Sequence, residues 1–339
     1  MSFPSQYYHY VTDMTTINDI ARLTGVSKST ISRVMTNPSI VKKTTRDKVL
    51  EIIKSQNYVP SNIAQNLSGT SSKNIGIVID ELANCFFIEI LEGVEKILSE
   101  QDYSLQIYSS QWIAEKEVSQ IRSLISKRVS GIMLAPLGKS GPAIDMAMQS
   151  NIPIVVINCI PDNPKCEYVS CDNIFGGSLV GKHFNEIKAE QNIIITGFDH
   201  QTINHRVQGF LQTVREPEKV IRYCSVSTFD EGRKLAPVLV SKNHINQRRT
   251  SIFVTNDNVA IGLMDSLINM GIDIPNQVSI IGFDDILISS LCKIPLSTVS
   301  QHAKMLGSIA AKNLLDMINN KKHVPCNTLI KPELILRNS

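Results

Sequence analysis

The stretch from Thr16 to Val34 reads TINDIARLTGVSKSTISRV and decides how the N-terminal part of the chain folds. Its first half has apolar residues at helical spacing, and Thr16 and Asp19 are placed as a capping box at the start of this helix. Gly25 suits the left-handed conformation that ends a helix, and Ser27 can cap a second one. The pattern therefore predicts two short helices joined by a tight turn.

The residues that follow extend this pair into a small helical domain. The second helix would bury Ile31 and Val34 and would stop at Asn37-Pro38. A third amphipathic helix, with Thr44 as its N-cap, would run to the break at Tyr58-Val59-Pro60. The sequence thus predicts three helices and, after Pro60, a short fourth helical stretch over 61–67.

The charge of the chain is concentrated in this head. From Met14 to Lys73 there are nine Lys or Arg and three Asp or Glu, a net +6 in a chain whose total is +3, so the rest carries −3. A basic head on a mildly acidic body is typical of a module that binds a polyanion. Two helices joined by a tight turn also form a helix-turn-helix, whose second helix enters the major groove of DNA. An ordinary helical hairpin with a solvated charged face is the alternative.

The exposed side of the second helix carries the candidate DNA contacts. Lys28, Ser29 and Arg33 point away from the predicted buried side. Arg33 can pair with a guanine edge through two hydrogen bonds. The short hydroxyl donors suited to phosphate oxygens are Ser27, Thr30 and Ser32.

After Lys73 short β-rich runs alternate with longer amphipathic segments. The runs are 75–79, 105–108, 131–134, 154–157, 193–196, 220–223, 252–255 and 279–283. Alternation at this pitch builds parallel sheets with helices on both faces. Eight strands exceed one comfortable core, so two similar α/β subdomains are expected, with ligands bound beyond the C-terminal strand ends.

Other classes of function find little support in the sequence. The longest apolar runs are too short to span a membrane, the N-terminus lacks a secretory signal, and the seven scattered cysteines suit reduced thiols in the cytoplasm. No Cys/His group has zinc spacing, and no activated nucleophile is evident, so neither an enzyme, a metal site nor a cofactor is expected. Gly176, Gly177 and Gly181 have the wrong spacing for a phosphate loop and indicate close helix packing.

The chain from Met14 onwards resembles the lactose/galactose/purine repressor family of bacterial transcriptional regulators. The segment Thr16–Val34 is similar to the N-terminal signature of that family almost position for position. Further similar positions are Val41, Thr45, Arg46, Lys48, Val49, Tyr58, Pro60, Asn62, Ala64 and Leu67. Met14 would then be the natural start, or residues 1–13 a disordered or non-native tail.

The resemblance implies three parts. Residues 14–60 would form the helix-turn-helix domain, 61–73 a hinge helix and linker, and 74–339 an effector-binding core. The core would be a pair of parallel-sheet lobes like a type I periplasmic binding protein. Lobe 1 would comprise about 74–171 and 301–325, and lobe 2 about 172–299 and 326–339.

The same resemblance implies two sets of site residues. The DNA contacts would be Thr16, Ser27, Lys28, Ser29, Thr30, Ser32, Arg33, Tyr58, Asn62 and Leu67, with Leu67 as an apolar wedge in the minor groove. The effector contacts would be Phe86, Asn158, Asp172, Arg206, Asn256, Asp284 and Gln301. Phe86 suits either ligand stacking or the core, whereas Phe87 suits the core.

Several positions depart from the family pattern. Asn158 stands where aspartate is common, and His302 replaces a proline. The segment between Phe210 and Val220 is short, and residues 188–191 lack the usual glycine turn. These departures leave the identity of the effector open.

The expected function is a repressor of a sugar-utilisation operon. It would bind a palindromic operator as a homodimer and respond to a small molecule, most simply a sugar. The alternative is a DNA-binding regulator controlled by a protein partner or by a non-sugar ligand such as a purine.

Overall fold

A computed structural model describes residues 15–58, 72–187, 189–225, 228–319 and 326–339. The chain divides into two compact units between Ser72 and Lys73, here called the head and the core. The predicted tail and most of the predicted hinge, including Asn62 and Leu67, lie outside the described residues.

The head contains three helices: α1 (Ile17–Thr24), α2 (Lys28–Thr36) and α3 (Lys43–Ser55). The predicted caps of the first two helices are confirmed. Thr16 and Asp19 form the capping box, Gly25 is left-handed at φ 73°, and the Ser27 hydroxyl accepts from the backbone N–H of Thr30. The predicted Thr44 cap is wrong. Helix α3 begins one residue before Thr44 and has no side-chain cap.

The first lobe is built on a six-stranded parallel sheet. Its elements are β1 (Asn74–Ile79), α4 (Cys85–Ser99), β2 (Ser104–Ser109), α5 (Ala114–Ser126), β3 (Gly131–Leu134), α6 (Pro142–Gln149), β4 (Ile154–Ile157), β5 (Glu167–Cys171), α12 (Ala303–Asn319) and β11 (Thr328–Ile330). The strand order is β11-β5-β4-β3-β1-β2. Continuous Val/Ile runs such as Ile154–Ile157 are buried, as strands covered by helices on both faces must be.

The second lobe repeats this plan on a four-stranded parallel sheet. Its elements are α7 (Asn173–Phe184), β6 (Gln191–Thr196), α8 (Gln201–Leu211), β7 (Ile221–Cys224), α9 (Phe229–Asn243), β8 (Thr250–Val254), α10 (Asp257–Asn269), β9 (Val278–Ile281) and α11 (Leu287–Leu291). The order is β7-β6-β8-β9, and β10 (Thr298–Ser300) pairs antiparallel with β12 (Glu333–Ile335). All eight predicted strands are present. Two of them, 131–134 and 154–157, have the predicted boundaries, and the other six are shifted or differ in length. Helix α8 begins at Gln201 and ends at Leu211, so the short segment between Phe210 and Val220 leaves a complete helix in place.

One lobe assignment is wrong. The expected second-lobe segment 326–339 begins with β11, which pairs parallel with β5 in the first sheet. Ile330 lies in the first-lobe hydrophobic cluster and is only 4% exposed. The chain returns to the second lobe at β12, and its last residue, Ser339, donates a hydrogen bond to the carbonyl of Ile280.

Close helix contacts hold each lobe together. In the second lobe α7 and α8 approach so closely that Gly177 lies against the carbonyl of Arg206 and Gly209 against that of Ile174. Such an approach requires residues without a side chain, which confirms the packing interpretation of Gly176 to Gly181. No helix in the described ranges is long and apolar enough to cross a membrane.

Candidate DNA-binding face and effector cleft

The second helix of the head presents the expected polar face. Lys28, Ser29 and Arg33 are exposed, whereas Ile31 and Val34 are buried against α1 and α3. The hydroxyl of Ser27 lies 2.8 Å from that of Ser29 and 2.9 Å from that of Thr30. Ser32 is half-buried on the same helix. The predicted separation of polar and apolar sides is therefore present, and a groove-reading role fits it.

Two other predicted DNA contacts have clear structural roles in the head. The Thr16 hydroxyl donates to Oδ2 of Asp19 at 2.6 Å and is committed to the cap of α1. The Tyr58 ring is 8% exposed and completes the core formed by Ile20, Ile31 and Val49. DNA contact by these two side chains stays a prediction.

The loops after several parallel strands meet in a cleft between the two lobes. Aromatic rings line it at Phe86, Trp112 and Phe198. The polar lining consists of Asp80, Glu81, Asn84, Asn158, His200, Thr202, Arg206, Asn256, Asn258 and Asp284. Its free volume of about 50 Å³ holds only a few waters, at ~10–15 Å³ each. Drug-sized ligands need roughly 300–1,000 Å³, so this arrangement of the lobes is a closed one.

The structure brings together five of the seven predicted effector residues: Phe86, Asn158, Arg206, Asn256 and Asp284. It does not place the other two on the wall of the cleft. Asp172 is the N-cap of α7, and its carboxylate accepts from the backbone N–H of Phe175 at 2.9 Å. Gln301 is fully buried and supports the wall by donating to Oδ1 of Asp284 at 2.6 Å.

Sequence reasoning missed eight polar or aromatic residues of the cleft, among them Glu81, Asn84, Phe198 and Thr202. The other four share one position in the fold. They are Asp80, Trp112, His200 and Asn258. Each lies within four residues of the C-terminal end of β1, β2, β6 or β8, and this position is the signal that could have found them.

Arg206 is the hub of the polar network. It is 3% exposed, its Nε donates to Oδ1 of Asn173 at 2.8 Å, and its Nη1 donates to the Thr255 carbonyl at 2.6 Å and to Oδ1 of Asp284 at 3.2 Å. Its guanidinium also stacks 3.9 Å above the Phe283 ring. Burial raises the pKa of Asp284 to about 7, although Arg206 acts to lower it. The buried charge of Arg206 therefore compensates an acid that burial alone would neutralise.

His200 joins the two lobes in its neutral form. Its Nδ1 accepts from the backbone N–H of Thr202 at 3.4 Å, and the Thr202 hydroxyl lies 2.9 Å from the same nitrogen. Nε2 must then carry the proton, which it donates to the first-lobe carbonyl of Pro136 at 3.1 Å. Burial lowers the pKa of His200, so the ring stays neutral.

Two further contacts close the cleft. The ring centroids of Trp112 and Phe198 are 5.0 Å apart. The Gln201 amide receives the N–H of Ile160 at 2.8 Å and donates to its carbonyl at 3.1 Å. Each contact joins the first lobe to the second and stabilises this closed arrangement.

Comparison with known proteins agrees with this architecture. Residues 16–61 match the model of the bacterial regulatory proteins of the lacI family, and 182–339 match a periplasmic binding protein-like domain. The HTH-type transcriptional repressor PurR of Vibrio parahaemolyticus is 31% identical over 329 residues, covering 96% of this chain and 98% of the relative. This chain belongs to the lacI family of bacterial regulators. The family and the two-part fold expected from the sequence are therefore confirmed, and the chain is a transcriptional repressor of that family.

Solved structures of the lacI family share the fold. A lacI-family transcriptional regulator from Silicibacter pomeroyi is 23% identical, with a TM-score of 0.85, 96% of this chain covered and 99% of that chain. The lac repressor dimer bound to operator and the anti-inducer ONPF is 23% identical, with a TM-score of 0.78 and coverages of 96% and 98%. The fold is thus shared by a protein whose structure includes operator DNA. The PurR relative is named as a transcriptional repressor and not as an enzyme.

Proposed function

We propose that this repressor controls transcription in the bacterial cytoplasm in response to a purine-type heterocycle bound in the interlobe cleft. The observation that carries this proposal is the cleft itself, which places three aromatic rings beside buried hydrogen-bonding groups. A flat base can stack on such rings while its edge bonds to the polar wall. The full-length relative is named PurR, which favours the purine alternative over the sugar expected from the sequence.

Control of DNA affinity would follow from the two arrangements of the lobes. The closed cleft has too little free space for a base, so the ligand must bind a different arrangement better than this one. A higher affinity of the ligand for one arrangement would shift the lobes towards it. Residues 61–73 would pass this change to the DNA-binding heads. The wedge role of Leu67 remains a prediction.

A homodimer is the assembly that suits this function. One head has a single reading helix and covers only half of a palindromic site. The core exposes an apolar surface at Ile88, Leu287 and Leu291, which are 56%, 69% and 73% exposed, beside a groove of about 400 Å³. Apolar clusters of this kind mark protein contacts, and a second copy of the chain would cover them.

The effector class is tested by the melting temperature of the purified full-length chain. We expect purine bases to raise it and simple sugars to leave it unchanged, because only a ligand that binds the folded state stabilises it. At a free ligand concentration one hundred times the Kd, the free energy of unfolding increases by ~2.7 kcal/mol. A rise with sugars and none with purines would restore the original expectation.

The reading role of α2 is tested with Arg33→Ala on an operator obtained by selection from random DNA. Loss of a bidentate base contact should cost ~1–3 kcal/mol of specific binding. Lys54→Ala is the matched control, since it removes the same charge from an exposed position on α3. Equal affinities for the two variants in a titration of labelled operator would rule out base reading by Arg33.

A further inference from the structure

Hydrogen-bond acceptors dominate the wall of the cleft. Asp80, Asn258 and Asp284 are 9%, 6% and 7% exposed and all line it. The Oδ1 atoms of Asn158 and Asn258 are buried and accept no hydrogen bond from any residue that the structure describes. Buried acceptors without a donor are costly unless a ligand or water supplies one.

Asp80 is the acidic acceptor whose negative charge is least balanced by its surroundings. Its carboxylate accepts from the backbone N–H of Glu81, and it takes part in no ion pair within the described ranges. Its electrostatic neighbours are the acids Glu81 and Asp284. Burial, aided by these acids, raises the pKa of Asp80 to about 8. A charge-compensating or proton-donating partner is therefore missing at this point of the wall.

Arg206 and Trp112, two N–H donors of the cleft, leave most of this need unmet. Arg206 is engaged by Asn173, Thr255 and Asp284. The Nε1 of Trp112 is buried and has no partner among the described residues, but a single indole N–H can serve only one acceptor. In an arrangement of the lobes that admits a ligand, donors to these acceptors must come from the ligand or from water.

We propose that the effector is an amino-substituted heterocycle, such as an aminopurine, whose exocyclic amino group donates to Asp80. This inference rests on the proposed purine-type effector and adds its hydrogen-bonding edge. The amide oxygens of Asn158 and Asn258 receive further donors, and the Trp112 N–H serves a ring nitrogen. The rings of Phe86 and Phe198 supply apolar faces for the base.

Adenine and hypoxanthine form the probe pair. Adenine carries an amino group and an acceptor ring nitrogen where hypoxanthine carries an oxo group and a ring N–H. Calorimetric titration of the full chain is expected to show at least about tenfold tighter binding of adenine, the size of one good hydrogen bond. Asp80→Asn keeps the shape but turns one acceptor into a donor, so it should remove this preference. Asp145→Asn, the same change at an exposed position of α6, should retain it.

The outcomes separate the two proposals. Equal or tighter binding of hypoxanthine overturns the amino-group inference and leaves the purine effector standing. An adenine preference that survives in Asp80→Asn overturns the role of Asp80. Binding of neither base overturns the purine effector itself, and the inference that rests on it falls with it.

Discussion

Arg206→Met is expected to lower the melting temperature of the core more than any other single change in the cleft. The substitution leaves the buried carboxyl of Asp284 without its cation and removes donors from Asn173 and Thr255. Breaking a buried pair by removing one partner costs ~3–5 kcal/mol. In a core of this size that corresponds to a fall of ~6–20 °C, measurable by scanning calorimetry.

The loss should grow with pH. Asp284 has a folded pKa of about 7, above the ordinary aspartate pKa of 3.8, so the folded state holds a proton that the unfolded state releases. Such a group contributes stability that is complete below pH 3.8 and is lost as the pH rises through about 7. Without Arg206 the folded pKa rises further, and the loss extends to higher pH.

The double variant Arg206→Met/Asp284→Asn is the control, because it removes both charges. It should recover much of the stability at pH 8, since replacing a whole buried pair is far less costly than breaking it. A double variant that melts as low as Arg206→Met at pH 8 would show that the unpaired acid is not the cause.

The head could be predicted from the sequence because its signals are local. The capping box of Thr16, the left-handed Gly25 and the Ser27 cap each depend on residues within one helical turn. The lobe membership of Thr328–Ile330 has no such signal. This strand joins the first sheet through pairing with Val169 to Cys171, some 160 positions earlier in the chain, and only the folded sheet reveals it.

In the cleft, too, the sequence pattern alone does not predict the role of single side chains. Asp172 and Asp80 both follow a strand, and the strand-end rule cannot separate them. Asp172 directly precedes α7, so its carboxylate is used as the cap. Asp80 lies four residues before Asn84, which caps α4, and its carboxyl faces the cleft. Because Asn84 and not Asp80 caps the following helix, the carboxyl of Asp80 is available to a ligand, whereas that of Asp172 is not.

Gly209→Ala should destabilise the second lobe strongly, because α7 and α8 touch through their backbones. A Cβ at this position would lie 1.8 Å from the Ile174 carbonyl oxygen, and backbone cannot swing aside as a side chain can. Overpacking of this kind costs ~1–3 kcal/mol and can exceed that where backbone is hit. The urea midpoint of unfolding should fall accordingly.

Gly138→Ala is the matched control, since its nearest neighbour, the Ser140 carbonyl oxygen, would be 3.4 Å away. Its free energy of unfolding should stay within ~1 kcal/mol of that of the parent chain. The contact also links packing to function, because α7 begins with Asn173 and α8 carries Arg206, and the two side chains are hydrogen-bonded. Forcing the helices apart moves Arg206 relative to Asp284, so the Gly209 variant should bind its effector more weakly even where it remains folded. Unchanged stability and unchanged ligand affinity in Gly209→Ala would contradict this coupling.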